Sequence, residues 1–286
     1  MTKSLSTPLT IALVAVVLLA GGLGYSGYRW YQTYGTLTES EQSRSELQKA
    51  YDALTADYQL LQEAFTAEKT RNDDFAKQIN DIGGTVGKLD KLSRTDPELL
   101  QKYSKVFFLN ENYAPESFEQ VPEKWVSGEA DEYISKPVWP FLKDMLEDAE
   151  DDGVNLQVVS AFRSFATQKN LKATYLVRYG SGANTFSADQ GYSEHQLGTT
   201  IDLSTKELDG VLSGFDSTDA YAWLTDNAYK YGFILSYPHN NTYYQYEPWH
   251  WRFVGRELAR DLHNDDKHFY DLDQREIDPY LVSIFD

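Results

Sequence analysis

Two short stretches of the sequence carry side chains that could hold a metal ion and activate a water molecule. The first, SEHQLGTTID, runs from Ser193 to Asp202 and contains His195, and the second, EPWH, runs from Glu247 to His250. Imidazole and carboxylate groups suit zinc, and the chain has no cysteine to replace them. His195, Asp202 and His250 would hold one zinc ion and leave a fourth coordination position open for water. Glu247 would be the general base that takes the proton of that water.

The spacing alone leaves a second interpretation open. His-x6-Asp is not the HExxH helix motif of metallopeptidases, and a hydrogen-bonded loop histidine with a capping aspartate would give the same pattern. Gly198 lets the backbone turn between the two candidate ligands. The β-branched residues 199–204 predict a strand, which would place Asp202 on a rigid element.

Three segments of the chain resemble the VanY-type D,D-carboxypeptidases, a family with L,D-carboxypeptidases of the LdcB and DacB kind. SEHQLGTTID is similar to their SxHxxGxAxD signature, and EPWHWRFVG, at residues 247–255, is similar to their ExWHxRYVG signature. SAFRS at residues 160–164, followed by Gln168, resembles their SxYRSxxxQ segment. The resemblance covers residues 105–262. It implies a zinc peptidase that removes a terminal D-amino acid from peptidoglycan stem peptides.

The same resemblance assigns the centre of the site. In the family, the positions that match His195, Asp202 and His250 hold zinc, and the position that matches Glu247 is the base. Thr200 stands where the signature usually has alanine, which removes no ligand.

The resemblance also assigns the substrate side. Arg163 would meet the substrate carboxylate or the developing oxyanion with its planar, always-charged fork. Gln168 and Ser193 are expected to bind the same substrate, although Ser193 could equally fix its own loop. Family members often have arginine at Ser236 and glycine at Tyr243, so D,D-carboxypeptidase, L,D-carboxypeptidase, dipeptidase and endopeptidase action all remain open.

Composition excludes some partners and favours an exported protein. The net charge is −18, from 44 acidic and 26 basic residues, which argues against nucleic acid because its phosphates would repel the chain. An absence of cysteine fits an exported protein without disulfides.

Residues 8–28 are apolar and uncharged, and the segment is long enough to cross a bilayer once as a helix. The alternative is a cleaved signal peptide, with Ala20–Gly24 as a weak cleavage site.

A long helix is predicted over residues 39–82. Apolar side chains alternate four and three positions apart along it, which is the a and d seam of a coiled coil, although Glu68, Asn72 and the two tyrosines, Tyr51 and Tyr58, weaken the seam. The pattern predicts a stalk that could pair the chain as a homodimer. The alternative is a single amphipathic helix that folds back on its own domain.

These segments give a four-part organisation: a membrane anchor at 1–35, a coiled-coil-like stalk at 36–84, a linker at 85–104 and a zinc carboxypeptidase domain at 105–286. Gly83, Gly84 and Gly87 are expected to end the stalk helix. A wall-peptide enzyme must have its domain outside, so the chain is predicted to be a single-pass protein of a bacterial cell membrane, with the domain on the wall side.

The fold implied for this domain is α+β, a small antiparallel sheet with flanking helices. The acidic residues 264–286 show no chemistry, although 277–285 could dock on the domain. Strands are predicted at residues 106–109, 156–160, 199–204, 233–237 and 243–247.

Two functions of other classes compete with the enzyme. One is a non-catalytic wall-binding or scaffold protein that retains the zinc site, against which an intact Glu247 argues, because a binding module needs no base. The other is a membrane-anchored coiled-coil interaction protein in which the peptidase domain is secondary.

Overall fold

A computed structural model describes residues 7–185 and 187–286 of the chain. The chain divides into two compact units, one up to Gly83 and one from Gly84 to Asp286. The first six residues of the predicted anchor lie outside the described part.

Helix α1 (Thr7–Arg94) includes every described residue of the first unit. It continues through Gly83, Gly84 and Gly87, so the prediction that these glycines end the helix was wrong. Each glycine costs about 1 kcal/mol relative to alanine, which weakens a helix without stopping it. The effective stop is Pro97, which disfavours the helical conformation in the residue before it.

The apolar side chains of α1 lie exposed along the first unit. The helix has, from Pro8 onward, a segment long and apolar enough to cross a membrane, a test that a signal sequence also passes. The predicted seam residues are all more than half exposed: Leu47, Tyr51, Leu54, Tyr58, Leu61, Phe65, Phe75, Ile79 and Ile82.

The second unit is an α+β domain with small antiparallel sheets, which confirms the predicted fold class. A four-stranded sheet carries the site, and two short strands form a separate antiparallel pair. In chain order, the elements are β1 (Phe118–Gln120), β2 (Tyr133–Ser135), α2 (Trp139–Asp151), β3 (Leu156–Ser160), α3 (Phe165–Tyr179), β4 (Thr200–Thr205), α4 (Asp219–Asn227), β5 (Phe233–Leu235), β6 (His250–Phe253), α5 (Arg256–Asn264) and α6 (Gln274–Ile277).

The order of the larger sheet is β3-β4-β6-β5, with β4 and β6 in the centre. Every residue of these two strands is buried, which suits their β-branched and aromatic side chains. Their antiparallel register pairs Asp202 directly with His250. The sheet therefore brings together two candidate ligands that are far apart in sequence.

Apolar faces of the helices and the C-terminal segment close the core of the domain. Helix α2 buries one stripe, which consists of Phe141, Leu142, Met145, Leu146 and Ala149. Ile277 and Ile284 are also buried, so the C-terminal segment docks on the domain as predicted. The C-terminal segment lies close to Gly255, since a Cβ atom there would lie 2.9 Å from the carbonyl oxygen of Ile284.

Two predicted strands are wrong. Residues 106–109 form an irregular segment in which Val106 is 85% exposed and only Leu109 is fully buried. Residues 243–247 are a loop, and β6 begins only at His250. Both segments have the β-branched or aromatic residues typical of strands, but neither finds a partner strand.

Candidate metal centre and substrate cleft

The first candidate ligand lies on a short turn that leads into the central strand. His195 belongs to the 3-10 turn Glu194–Leu197, and Gly198 caps that turn in the left-handed region with φ 66°. A Cβ atom on Gly198 would lie 2.7 Å from Cγ of Pro115, so space as well as conformation requires glycine here. Strand β4 then begins at Thr200 and delivers Asp202.

The three candidate ligands converge. Nε2 of His195 lies 3.2 Å from one carboxylate oxygen of Asp202, and Nδ1 of His250 lies 3.1 Å from the other. Within the described residues, these three form the one group of at least three metal-binding side chains, with all ligand atoms within 4.8 Å of one another. All three residues are buried. Two imidazoles and one carboxylate are a donor set that fits zinc.

The other nitrogen of each imidazole is held by the protein. Nδ1 of His195 lies 2.6 Å from the carbonyl oxygen of Ala161, which can only accept a hydrogen bond. Nε2 of His250 lies 2.9 Å from a carboxylate oxygen of Glu194. In the neutral form of each ring, the outer nitrogen therefore carries the hydrogen, and the inner nitrogen has its lone pair directed at the cluster.

The two histidines differ in their electrostatics. Burial lowers the pKa of His195, and the positive charge of Arg163 lowers it further. Burial also opposes protonation of His250, but hydrogen bonds to Asp202 and Glu194 outweigh it and raise the pKa of His250 to about 9. The same imidazoles hold the pKa of Asp202 well below its usual range despite its burial.

Glu247 lies beside the cluster. Its carboxylate oxygen is 3.7 Å from Nδ1 of His250, and its side chain is 17% exposed. Burial raises the pKa of Glu247 to about 7. A carboxylate with a pKa near neutrality is suited to accepting and returning a proton.

Arg163 also lies beside the cluster. Its backbone N–H donates to the carbonyl of His195, and its guanidinium lies 3.5 Å from the carboxylate of Asp202. The guanidinium donates to Oε1 of Gln168 at 2.8 Å and to the hydroxyl of Ser160 at 3.1 Å. Gln168 is buried, and its amide nitrogen donates to the carbonyl of Ala188. The contacts of Gln168 are thus within the protein, where they orient Arg163.

A cavity of about 410 Å³ lies away from these residues, but a smaller cavity of about 330 Å³ contains them. The smaller cavity is the candidate site, because these charged side chains converge there and not in the larger one. It is lined by all seven site residues that the sequence predicts: Arg163, Gln168, Ser193, His195, Asp202, Glu247 and His250. A neighbouring cavity of about 360 Å³ shares Glu247 with it and adds Lys105, Tyr243 and Tyr244. An extended substrate could therefore lie on both sides of Glu247.

The sequence analysis missed the groups behind His250. Glu194 accepts from Arg252 at 2.7 Å and from the hydroxyls of Tyr270 and Ser236. Although burial opposes it, the charge of Arg252 and the hydrogen bond to His250 hold the pKa of Glu194 at about 2. Glu194 directly precedes a candidate ligand in the sequence, which could have pointed to it. No local pattern predicts its contact with Tyr270.

Comparisons with known proteins agree with this geometry. A family model described as D-alanyl-D-alanine carboxypeptidase, VanY, matches residues 131–256. YodJ of Bacillus subtilis, a carboxypeptidase by name, is 35% identical over 216 residues, which cover 69% of this chain and 75% of YodJ. A D-alanyl-D-alanine carboxypeptidase of Enterococcus faecalis is 30% identical over 177 residues, covering 57% of this chain and 63% of that protein.

Solved structures give the same result. The LdcB LD-carboxypeptidase is 36% identical with a TM-score of 0.56, covering 61% of this chain and 86% of that one. The D,D-pentapeptidase VanY of a VanB-type vancomycin-resistance cassette, solved with Zn(II), is 27% identical with a TM-score of 0.51, covering 60% of this chain and 97% of that one. The resemblance seen in the sequence is confirmed, and the chain belongs to the VanY family of D-alanyl-D-alanine carboxypeptidases.

Proposed function

We propose that this protein is a membrane-anchored zinc carboxypeptidase that removes the C-terminal D-alanine from peptidoglycan stem peptides. The observation that carries the proposal is one buried cluster in which His195, Asp202 and His250 converge, with Glu247 beside His250 and Arg163 beside Asp202. The cluster holds every group that hydrolysis of a terminal peptide bond by a metallopeptidase requires.

His195, Asp202 and His250 would hold the ion. A zinc ion there would supply a Lewis acid that polarises the scissile carbonyl and lowers the pKa of a bound water. Support for this comes from the donor set and from the outer hydrogen bonds, which leave the inner nitrogens free to bind.

Glu247 acts as the general base. It accepts a proton from the water whose oxygen bonds to the scissile carbonyl carbon, and it returns that proton to the amine that leaves when the C–N bond breaks. Its pKa of about 7 and its place between the two cavities support this role.

Arg163 binds negative charge on the substrate, either the terminal carboxylate or the developing oxyanion. Gln168 and Ser160 hold its guanidinium in place. Ser193 lines the same cavity and is proposed to contact the substrate. A direct contact of Gln168 with the substrate stays a prediction.

Two substrate classes fit the proposal. The solved relatives include an LD-carboxypeptidase, a D,D-pentapeptidase and a VanY in complex with D-alanine-D-alanine. The substrate is accordingly a stem peptide, either the pentapeptide ending in D-Ala-D-Ala or the tetrapeptide ending in a single D-Ala.

The full chain in detergent, supplied with zinc, would be incubated separately with each peptide, beside Glu247→Ala. We expect one D-alanine to be released from one of the two peptides by the wild type and none by the variant. Failure to release D-alanine from either peptide, with zinc bound, would contradict the carboxypeptidase proposal and favour a wall-binding protein that retains the metal site.

The N-terminal helix serves as the anchor in this proposal. Support comes from the apolar segment that begins at Pro8 and from the enzyme family, whose substrates lie in the cell wall. The exposed seam of α1 would pair with a second copy of the chain. Sedimentation of the full chain in detergent tests the pairing, and a monomer at micromolar concentration would contradict it.

A further inference from the structure

A buried carboxylate behind His250 is not used by the proposed reaction. Glu194 is 0% exposed and lies within hydrogen-bond distance of four side chains. Its Oε1 accepts from Arg252 at 2.7 Å, from Tyr270 at 2.7 Å and from Ser236 at 3.0 Å. Its Oε2 is left to Nε2 of His250 at 2.9 Å. Three contacts thus fix one oxygen of Glu194, and the other is directed at a candidate metal ligand.

The charge partner of Glu194 is itself fixed by distant parts of the domain. Arg252 is 0% exposed, and its second guanidinium nitrogen donates to the carbonyls of Leu99 and Gln101 at 3.0 and 3.1 Å. The guanidinium also lies over the ring of Phe269, 4.5 Å from its centroid. A buried carboxylate is stable only when it is paired and hydrogen-bonded in this manner.

The imidazole of His250 is therefore held at its edge and on its face. The ring of Tyr237 stacks on it with centroids 4.0 Å apart and planes within 10°. Glu194 accepts at Nε2, and Asp202 lies at Nδ1 on the opposite side. Both carboxylates can only accept, so they compete for the hydrogen of the neutral ring. The contact of Glu194 is the shorter, 2.9 Å against 3.1 Å for Asp202, and therefore favours the hydrogen on Nε2.

We propose that Glu194 is a positioning residue of the metal centre, which keeps the hydrogen of His250 on Nε2 and directs Nδ1 at the ion. Arg252 and Tyr270 in turn hold Glu194. This inference rests on the metal site of the proposed function. Tyr270, Leu99 and Gln101 lie outside the 131–256 match to the family, so the support for the centre extends beyond that segment.

Glu194→Gln tests the role with little change in volume. The glutamine can keep its oxygen toward Arg252 and Tyr270, which places its NH₂ against Nε2 of His250. That nitrogen must then accept, and the hydrogen of the neutral ring moves to Nδ1, where it blocks the metal. Loss of such a supporting contact typically lowers metal affinity by about 10- to 100-fold.

The measurement is the zinc affinity of the full chain in detergent, by competition with a chromophoric chelator. We expect Glu194→Gln to bind zinc about 10- to 100-fold more weakly than wild type. Ser236→Ala is the matched control, since it removes the longest contact to Oε1 and leaves the contacts of Glu194 with Arg252, Tyr270 and His250. Its zinc affinity should stay within about threefold of wild type, whatever the substitution does to the melting temperature.

A second readout does not need zinc. In the chelator-treated protein, at a pH above the His250 titration that the same spectra record, ¹⁵N NMR should place the hydrogen of His250 on Nε2 in wild type and on Nδ1 in Glu194→Gln. Unchanged zinc affinity in a folded Glu194→Gln, or an unchanged tautomer, would overturn the proposal. If that variant does not fold, Glu194→Asp keeps the charge beside Arg252 and shortens the reach to His250; wild-type zinc affinity there would equally overturn it.

The two readouts separate this inference from the proposed function. A wild type that binds no zinc but shows the tautomer change would support the effect of Glu194 on His250 and contradict the metal site. A wild type that binds zinc with no effect of Glu194→Gln keeps the metal site and loses the positioning role.

Discussion

The two sides of the candidate metal centre are built differently. On one side, His195 is held by the backbone carbonyl of Ala161, and the neighbouring Arg163 lines the cavity of the candidate site. On the other, His250 is held by the buried carboxylate of Glu194, and the neighbouring Glu247 is the proposed base. A carbonyl fixes a ring without adding a charge, whereas a carboxylate adds one and couples the ring to whatever holds that carboxylate.

The difference separates the tasks of the site. The His195 side is neutral at its outer nitrogen and borders a cation, so it is suited to a substrate that carries negative charge. On the His250 side, the pKa of His250 is raised to about 9 and that of Glu247 to about 7, so both groups hold a proton at higher pH than usual. In the proposed function, proton transfer would therefore involve the His250 side and substrate binding the His195 side.

The largest effect on kcat is expected from a substitution on the His250 side. Glu247→Gln removes the proposed base and keeps the size of the side chain, so kcat should fall by about 10²- to 10⁴-fold. Zinc binding should stay near wild type, because the three ligands remain. Steady-state release of D-alanine, with zinc content measured on the same sample, checks this, and a variant with wild-type kcat would mean that another group is the base.

The two histidines should give opposite pH dependence to the stability of the chelator-treated protein. The raised pKa of His250 adds stability that is fully present below its unfolded value of about 6.5 and is lost as pH rises through about 9, on the order of 3 kcal/mol. The lowered pKa of His195 acts the other way, because stability is lost as pH falls below about 6.5.

Urea unfolding from pH 5 to 9.5 of wild type, His250→Gln and His195→Gln would measure both slopes. Glu247, with a raised pKa, adds a loss of stability between about pH 4.5 and 7 that all three proteins share. The loss between pH 7 and 9 should be absent only in His250→Gln. The same loss in all three proteins would contradict the assignment.

Gly198→Ala tests the turn that carries His195. The substitution places a side chain at φ 66° and a Cβ atom 2.7 Å from Pro115, so it should lower the free energy of unfolding by about 2 kcal/mol. Gly214→Ala is the matched control, since Gly214 has φ 83° but nothing within 4 Å of a Cβ atom. Equal losses for both variants would show that the close contact with Pro115 contributes nothing.

The smallest effect is expected from removing the hydrogen bond between Gln168 and Arg163. Gln168→Met keeps the volume but removes the hydrogen bond to the guanidinium, so kcat/KM should fall about tenfold, or about 1.4 kcal/mol. Because Gln168 is expected to act through Arg163, the same substitution in an Arg163→Lys background should cost little more. A full additional tenfold loss there would instead support a direct contact of Gln168 with the substrate.

The sequence was informative where residue type determines chemistry. The seven predicted site residues line one cavity, and the strands at 156–160 and 200–205 were predicted to within one residue. Their signals are local: β-branched runs, a glycine at a forced turn, and motifs with fixed spacing.

What the sequence could not give depends on contacts between distant segments. The C-terminal segment showed no chemistry, yet Tyr270 donates to Glu194 across 76 positions. Residues 243–247 have the composition of a strand but lie in a loop, because pairing is decided by the neighbouring strands. Three glycines did not end α1, since their cost is spread over a helix of 88 residues.

The central claim is that His195, Asp202 and His250 together hold one zinc ion that the enzyme needs. The most direct measurement is the zinc content of the full chain after chelation and return of zinc, compared with Asp202→Asn, since Asp202 contacts both histidines. We expect about one zinc per chain in wild type, restored D-alanine release, and loss of both in the variant. Equal zinc in the two proteins, or full release of D-alanine by chelated wild type, would contradict it.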